Sequence, residues 1–250
     1  MIATFSLYSS ISEKSAVKSI SLYNTNLLQI YLFYKMSLVI FDLDDTLLAG
    51  DSEGAWADFM LKQGIVKDKN FIINVKKFES DYRNGNLDID DYVKFLLEPL
   101  VGYSESEVER LALIFSEGVV KKYSDGLTHR LLRKHLEDNC LIVSGTLDFL
   151  VREIASILGV DTSISTLAEI KGGVFSGKVE GKANFGIEKV KRVKEWLVSN
   201  PIINLNEIFV YSDSIYDLPL LEYGNRPFAV NPDKKLRVIA EERAWQIIER

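Results

Sequence analysis

Short apolar runs alternating with helical periodicity constrain this chain more than any other feature. CLIVS, at Cys140 to Ser144, is followed by LDFLVREIASILG, in which Leu147, Leu150, Val151, Ile154 and Leu158 fall on one helical face. Further short strands and helices follow in the same rhythm, and that alternation gives a parallel sheet wrapped by helices. The expected strands are residues 37–42, 140–144, about 162–166, 207–211 and 226–230, joined by right-handed crossovers that leave every carboxyl end on one side. Only the first crossover is unusual. Between its strand and CLIVS, residues 52–136 carry helical patterns and no convincing strand, as in SEGAWADFMLKQG, DIDDYVKFLLEPL and ESEVERLALIFSEGVVKKY. The expected fold class is therefore α/β, a Rossmann-like parallel sheet with an all-helical cap inserted after the first strand. Residues 36–51 and 137–250 would form the core and 52–136 the cap. The string AEIKGGVFSGKVEG alternates around Gly172-Gly173 and reads as a hairpin.

Residues 1–35 show no sustained helical or alternating period. They are expected to be an unstructured extension or a mis-assigned start, and a chain beginning at Met36 is expected to fold and work like the full one.

With 47% apolar, 26% charged and 11% aromatic residues in 250, the chain can fill a sizeable core, which excludes disorder and low complexity as whole-chain descriptions. Its formal net charge of -6 has the wrong sign for a partner such as the phosphate backbone of nucleic acid. The longest candidate for a membrane segment, Leu27 to Tyr34, is too short and contains Gln29, and no targeting leader is recognisable. The single cysteine, Cys140, reads as a small buried thiol, which fits a reducing cytoplasm.

The chemistry-bearing residues stand where strands end. Asp42-Leu43-Asp44-Asp45-Thr46 directly follows LVIF, and ligands of a parallel sheet bind outside the carboxyl ends of its strands. Side chains two apart in an extended segment share a face, so Asp42 and Asp44 can converge on one centre. Ser144 and Gly145 end CLIVS and offer a hydroxyl and free backbone N–H groups; alone, such a serine is an ordinary helix cap. Asp213 and Asp217 lie in the turn YSDSIYD after the strand EIFVYS, where paired carboxylates can hold a hard cation such as Mg2+; alone, they begin a helix before Pro219. Lys189, in FGIEKVKRVKEW, would by itself be a solvated charge.

Taken in order, DLDDT, the strand-end Ser144, Lys189 and SDSIYD resemble the four motifs of the haloacid dehalogenase superfamily. The strings FDLDDTLLAGDSEGAW, NGNLDIDDY, FGIEKV, YSDSIYDLPLLE and AVNPDKKLRVIAEERAW resemble more closely its phosphoserine-phosphatase-like branch, whose bacterial members include proteins assigned as histidinol-phosphate phosphatases. The likeness runs from about Met36 to Ile248. It implies a Mg2+-dependent phosphomonoesterase acting on a small phosphorylated metabolite. Asp42 would be the nucleophile forming an aspartyl-phosphate, and Asp44 the acid that protonates the leaving alcohol and then the base that activates water. Mg2+ would be held by Asp42, the backbone carbonyl of Asp44 and Asp213, with Asp217 assisting, while Ser144 and Lys189 hold the phosphoryl oxygens. Thr46 would steady the loop.

Two departures bear on the substrate. Where the branch often carries an asparagine, this chain has Tyr216; where phosphoserine phosphatases carry a carboxylate-binding arginine, counting from Gly85-Asn86-Leu87, it has Leu96. Asp51 corresponds to an acidic substrate-contacting residue of the branch, and its plain reading is a turn before the first cap helix. Trp56 and Phe59 read as apolar walls of the site or as cap core. An amino-alcohol phosphate such as histidinol phosphate therefore fits better than phosphoserine, the alternatives being phosphoserine itself, another amino-alcohol phosphate, or a non-catalytic phosphate-binding role. GGVFSGK has P-loop spacing, but Val179 stands where a Ser or Thr is needed. His129 and His135, in a basic helix, are expected on the surface.

Overall fold

The computed structural model describes residues 37–68, 70–200, 205 and 207–250; the expectation for residues 1–35 lies outside them. Strand β1 (Leu38–Phe41) is wholly buried and pairs in parallel with β2 (Asn139–Leu147) on one side and β6 (Ile208–Ser212) on the other. With β3 (Ser163–Thr166), β7 (Arg226–Val230) and β8 (Gln246–Ile248) the sheet runs β3-β2-β1-β6-β7-β8, parallel throughout. Strand order reverses between β1 and β6, which opens a crevice at their carboxyl ends. Each expected strand forms, with ends shifted by a residue or two and β2 extended through Gly145 to Leu147. Strand β8 escapes the sequence because three edge residues carry too little period.

LVIF is a continuous apolar run because both faces of its strand are covered. Val39 and Phe41 join Ile142, Tyr211 and Phe228 on one face, while Leu38 and Ile40 join Leu141, Val143 and Val210 on the other. The second face is closed by α7 (Ile187–Ser199), α8 (Leu218–Tyr223) and α9 (Lys234–Glu242) through Val190, Val193, Leu220, Leu221, Leu236 and Ala240. The first is closed by α6 (Asp148–Leu158) and by helices of the insertion. The hairpin is β4 (Ala168–Lys171) with β5 (Val174–Val179), and Gly172 and Gly173 both have positive φ, 62° and 79°, as a two-residue turn of this hand requires.

The insertion consists of α1 (Ser52–Lys62), α2 (Asn70–Asn84), α3 (Ile89–Leu97), α4 (Glu105–Tyr123) and α5 (Gly126–Lys134). Their starts are written in the sequence. Asp51 and Asp88 cap α1 and α3, and Ser104 with Glu107 and Asp125 with Thr128 form reciprocal capping boxes for α4 and α5. Trp56, fully buried, stacks on Phe59 with centroids 5.3 Å apart and meets Phe115 and Phe149 edge-on. No described helix is long and apolar enough to cross a membrane.

Helix α5 returns along the sheet and corrects one expectation. His129 is exposed, but His135 is buried at 3% exposure, its Nδ1 2.8 Å from Asp138 Oδ2 and its Nε2 2.8 Å from the Tyr211 hydroxyl. Burial, partly offset by Asp138, lowers its pKa. The basic run THRLLRKHLED conceals this because Tyr211 comes from a strand 76 residues later. Cys140 is half-buried, its thiol donates to the His135 carbonyl at 3.4 Å, and burial pushes its pKa up to about 12.

Candidate active site

The site begins where β1 runs out of partners on its own strand. The Asp42 N–H donates to the Tyr211 carbonyl at 2.9 Å, continuing the ladder one step. The chain then makes a wide turn over Leu43–Leu47, closed by the Leu48 N–H on the Leu43 carbonyl at 2.9 Å. Asp44 stays extended, while Asp45 takes φ 53°, a left-handed conformation that aspartate tolerates better than most residues. Leu43 and Leu47 anchor this turn in the core, leaving the carboxylates at the crevice.

Asp42 is 7% exposed and Lys189 4%. Lys189 Nζ donates to Asp42 Oδ1 and to Asp217 Oδ2, both at 2.8 Å, and Asp217 Oδ2 also accepts from Ser212 Oγ at 2.8 Å. Burial alone would lower the lysine's pKa; the charges of Asp217 and Asp42 overcome it and hold the ammonium above its ordinary value. So Lys189, surrounded in sequence by solvated lysines, points inward from the first turn of α7. Burial, opposed by Lys189, raises Asp217. Thr46 Oγ1 donates to Asp213 Oδ1 at 3.1 Å and ties the loop after β1 to the loop after β6. Asp213 is held well above the usual carboxylate range, by burial first and then by Asp42, Asp45 and Asp217.

Asp44 has different company. Its Oδ1 accepts from the Ser52 N–H and its Oδ2 from Thr146 Oγ1, both at 2.7 Å. Burial and the nearby Asp51 charge raise its pKa to about 7 despite those hydrogen bonds. Ser144, 2% exposed, stands at the end of β2 with its Oγ accepting from the Thr146 N–H at 3.1 Å. Asn184 Nδ2 donates to the Ser144 carbonyl at 2.8 Å and to the Ile164 carbonyl at 3.1 Å, fixing the strand end.

Seven of the residues singled out from the sequence, Asp42, Asp44, Asp51, Ser144, Lys189, Asp213 and Asp217, line one cavity of about 910 Å³ between the sheet edge and the insertion. Asp51 divides its role, since its Oδ1 accepts from the Glu53 and Gly54 N–H groups at 2.9 and 3.1 Å as the cap of α1. Trp56, Phe59 and Leu96 do not line the cavity; Leu96 and Trp56 are fully buried among the insertion's apolar side chains.

The opposite wall was not legible from the sequence. Tyr82 on α2 reaches Ser214 Oγ with its hydroxyl at 2.5 Å, and the Tyr216 hydroxyl donates to the Tyr82 carbonyl at 3.0 Å. Tyr82 and Phe185 each pack against Tyr216 with centroids 4.8 Å apart. Tyr216, standing where the resembled branch often has asparagine, thus joins the sheet side to the insertion. Tyr92 and Glu53 complete the wall, with Glu53 held well above its ordinary pKa by burial and by the Asp51 and Asp44 charges.

Chemically, the cavity offers hard oxygen donors crowded enough to repel one another, which suits a small divalent cation. Among the described residues no three histidine, cysteine or carboxylate side chains form a metal cluster by themselves. Two carboxylates completed by a main-chain carbonyl, the set the resemblance implies, would need no third side chain, and hard oxygen donors of this kind suit Mg2+. Proton transfer and nucleophilic attack would fall to different carboxyls, one on a lysine and one carrying its own proton near neutrality.

The chain as a whole is similar to several known proteins. A haloacid dehalogenase-like hydrolase model matches residues 39–222. A protein of Neisseria meningitidis serogroup C named histidinol-phosphatase is 33% identical over 217 residues, 85% of this chain and 98% of its own length. Phosphoserine phosphatase SerB1 of Mycobacterium tuberculosis is 29% identical over 213 residues, 83% of this chain and 68% of its own. The crystal structure of a Bordetella pertussis protein of unknown function superposes with a TM-score of 0.78 at 35% identity, over 85% of this chain and 98% of that one. A phosphoserine phosphatase with a phospho-aspartyl intermediate analogue shares the fold, with a TM-score of 0.59 at 21% identity over 86% and 94% of the two chains. The chain belongs to the haloacid dehalogenase-like hydrolase family.

Proposed function

We propose that this chain is a Mg2+-dependent phosphomonoesterase working through an aspartyl-phosphate at Asp42. The observation that carries the reading is the split between two neighbouring carboxyls. Asp42 rests on the Lys189 ammonium, whereas Asp44, two residues on, is raised to about 7 by burial and the Asp51 charge. The first is placed to attack phosphorus; the second keeps a proton for the leaving alcohol and, once it has given it up, can take one from water. Lys189 and Ser144 hold the phosphoryl oxygens, and Asp217 keeps Lys189 aimed. Asp42, Asp213 and the Asp44 carbonyl would hold Mg2+, which when bound screens the anionic nucleophile from the anionic phosphate.

The sheet and the helices flanking it act as the catalytic core, and the helical insertion over 52–136 as the cap that excludes water during transfer. Asp51, Glu53 and Glu79 on the cavity wall, beside Phe78, Tyr82, Tyr92 and Phe185, favour a substrate with a cationic nitrogen and a flat or apolar body. With a histidinol-phosphatase among the relatives, histidinol phosphate is the substrate that fits best.

Phosphate release from histidinol phosphate, phosphoethanolamine, phosphoserine, a sugar phosphate and a nucleotide, each with Mg2+ and with chelator, tests the reading. Histidinol phosphate should lead and chelator should abolish release. Preference for phosphoserine would refute the substrate; release unaffected by chelator would refute the metal; no release from any of them would leave phosphate binding only.

A further inference from the structure

We propose that Arg250 is a positioning residue that locks both connections between sheet and insertion onto the loop carrying Asp42 and Asp44. This rests on the reading above that those carboxyls are the reacting centre. The chain leaves the sheet through Leu48 to Asp51 and returns through Ser124 and Asp125. The two passages run side by side. Ala49 N–H donates to the Tyr123 carbonyl at 2.8 Å, and Thr128 Oγ1 to the Leu47 carbonyl at 2.6 Å. Gly50 lies so close to the Tyr123 ring that an added Cβ would sit 2.8 Å from it. Connections of this kind are where hinges sit, and these two carry a further, charged tie beyond those hydrogen bonds.

Arg250 spans them. One arm of its guanidinium, Nη2, donates to the Thr46 carbonyl at 2.5 Å and the Leu48 carbonyl at 3.2 Å, on the outgoing passage. The other, Nη1, pairs with Asp125 Oδ1 at 2.7 Å on the returning one. Its side chain is only 17% exposed, and its own N–H donates to Asn231 Oδ1 at 2.6 Å, in the loop after β7. Asp125 is also the cap of α5, accepting from the Leu127 and Thr128 N–H groups at 2.8 and 3.0 Å. Thr46, whose carbonyl Arg250 holds, is the residue whose hydroxyl reaches Asp213. A single rigid fork therefore connects the β1 loop, the start of α5 and, through Thr46, the proposed metal ligand from β6. Lysine offers its donors from a single nitrogen and lacks the planar fork whose two arms are fixed on opposite passages, so it is a poorer fit to both at once.

The test uses the full chain with Arg250→Gln, Arg250→Lys and Asp125→Asn. Asparagine keeps the helix cap while removing the charge, so that variant tests the clamp even if Arg250→Gln folds poorly. Arg250→Gln should speed amide hydrogen exchange about tenfold or more in both 43–50 and 124–128, the loss of charge-assisted hydrogen bonds having that scale. The strands should exchange as before. The half-saturating Mg2+ concentration for phosphate release should rise several-fold, a readout that a remote surface ion pair would not move. Arg250→Lys should restore at most one of the two segments. Exchange unchanged in either segment of Arg250→Gln, an unmoved Mg2+ dependence in an active enzyme, or full restoration by lysine would overturn the proposal. If the wild-type chain hydrolyses no phosphomonoester, the reading of the site fails while exchange in the two segments still decides the clamp.

Discussion

On the sheet side of the cavity, the Lys189, Asp42 and Asp217 side chains are 5%, 10% and 3% exposed and spend their polar atoms on one another. On the insertion side, Tyr82, Tyr92, Glu53 and Glu79 present rings and carboxyls to the same space, and α2 is tied to the sheet by the Tyr82–Ser214 and Tyr216–Tyr82 hydrogen bonds. The first wall is placed by strand register, since β1 and β6 are adjacent and their next residues must meet. The second is placed by side chains alone. A wall fixed by the backbone ladder can hold charges at tenths of an ångström, as phosphoryl transfer requires. On the proposed reading, the wall tied through Tyr82 and Tyr216 would be the one that admits or refuses a substrate. Chemistry and selection would then sit on different supports, and substitutions should separate them.

The largest effect should come from the sheet side. Asp42→Asn should lower turnover of any phosphomonoester by at least about 10³-fold, because no other group can form the covalent intermediate; a steady-state assay in Mg2+ checks it, and wild-type turnover would remove the mechanism. Asp44→Asn should also abolish turnover, by losing leaving-group protonation and water activation. Lys189→Ala should cost roughly 10²-fold in kcat/KM and about 3 to 5 kcal/mol of stability in denaturant unfolding, since it leaves Asp42 and Asp217 buried without their counter-charge.

A subtler test concerns proton position. With Asp44 raised to about 7, mainly by burial, the protonated form is lost as pH climbs through that value, so kcat/KM should fall on the alkaline side of about pH 7. Thr146 donates to Asp44 Oδ2 and favours its ionised form. Thr146→Val should therefore raise the carboxyl's pKa further and move the alkaline limb to higher pH; a limb that stayed or moved down would contradict the assignment. The smallest effect belongs to the insertion side. Tyr82→Phe removes the hydroxyl bound to Ser214 and should raise KM a few-fold at nearly constant kcat, consistent with the loss of roughly one hydrogen bond. A large fall in kcat instead would mean that selection and chemistry share a support.

The same contrast explains what could be read in the sequence. Asp42, Ser144 and Asp213 follow apolar runs directly, and a residue after a buried parallel strand can go nowhere but the crevice. The turn read at Asp51 before the first helix of the insertion was likewise local, and it is the cap of α1. Tyr216 stood out as a departure from the resembled branch, but its meeting with Tyr82 and Phe185 was illegible because it depends on how α2 lies over a loop 132 residues later, which no local period encodes. Leu96, at the position where the resembled phosphatases carry an arginine, packs into the insertion's core and offers the cavity no cation. Asn184 and Thr146 left no pattern at all, each being a single polar residue among ordinary neighbours.

The central claim, covalent transfer to Asp42, can be read directly. The full chain turning over a phosphomonoester in Mg2+ would be quenched and treated with borohydride, which reduces an acyl phosphate to the alcohol, and the peptide spanning Leu38–Leu48 examined by mass spectrometry. The account predicts homoserine at position 42, dependent on both substrate and Mg2+ and absent from Asp42→Asn. Steady turnover with Asp42 unreduced, or reduction at Asp44 or Asp213 instead, would contradict it.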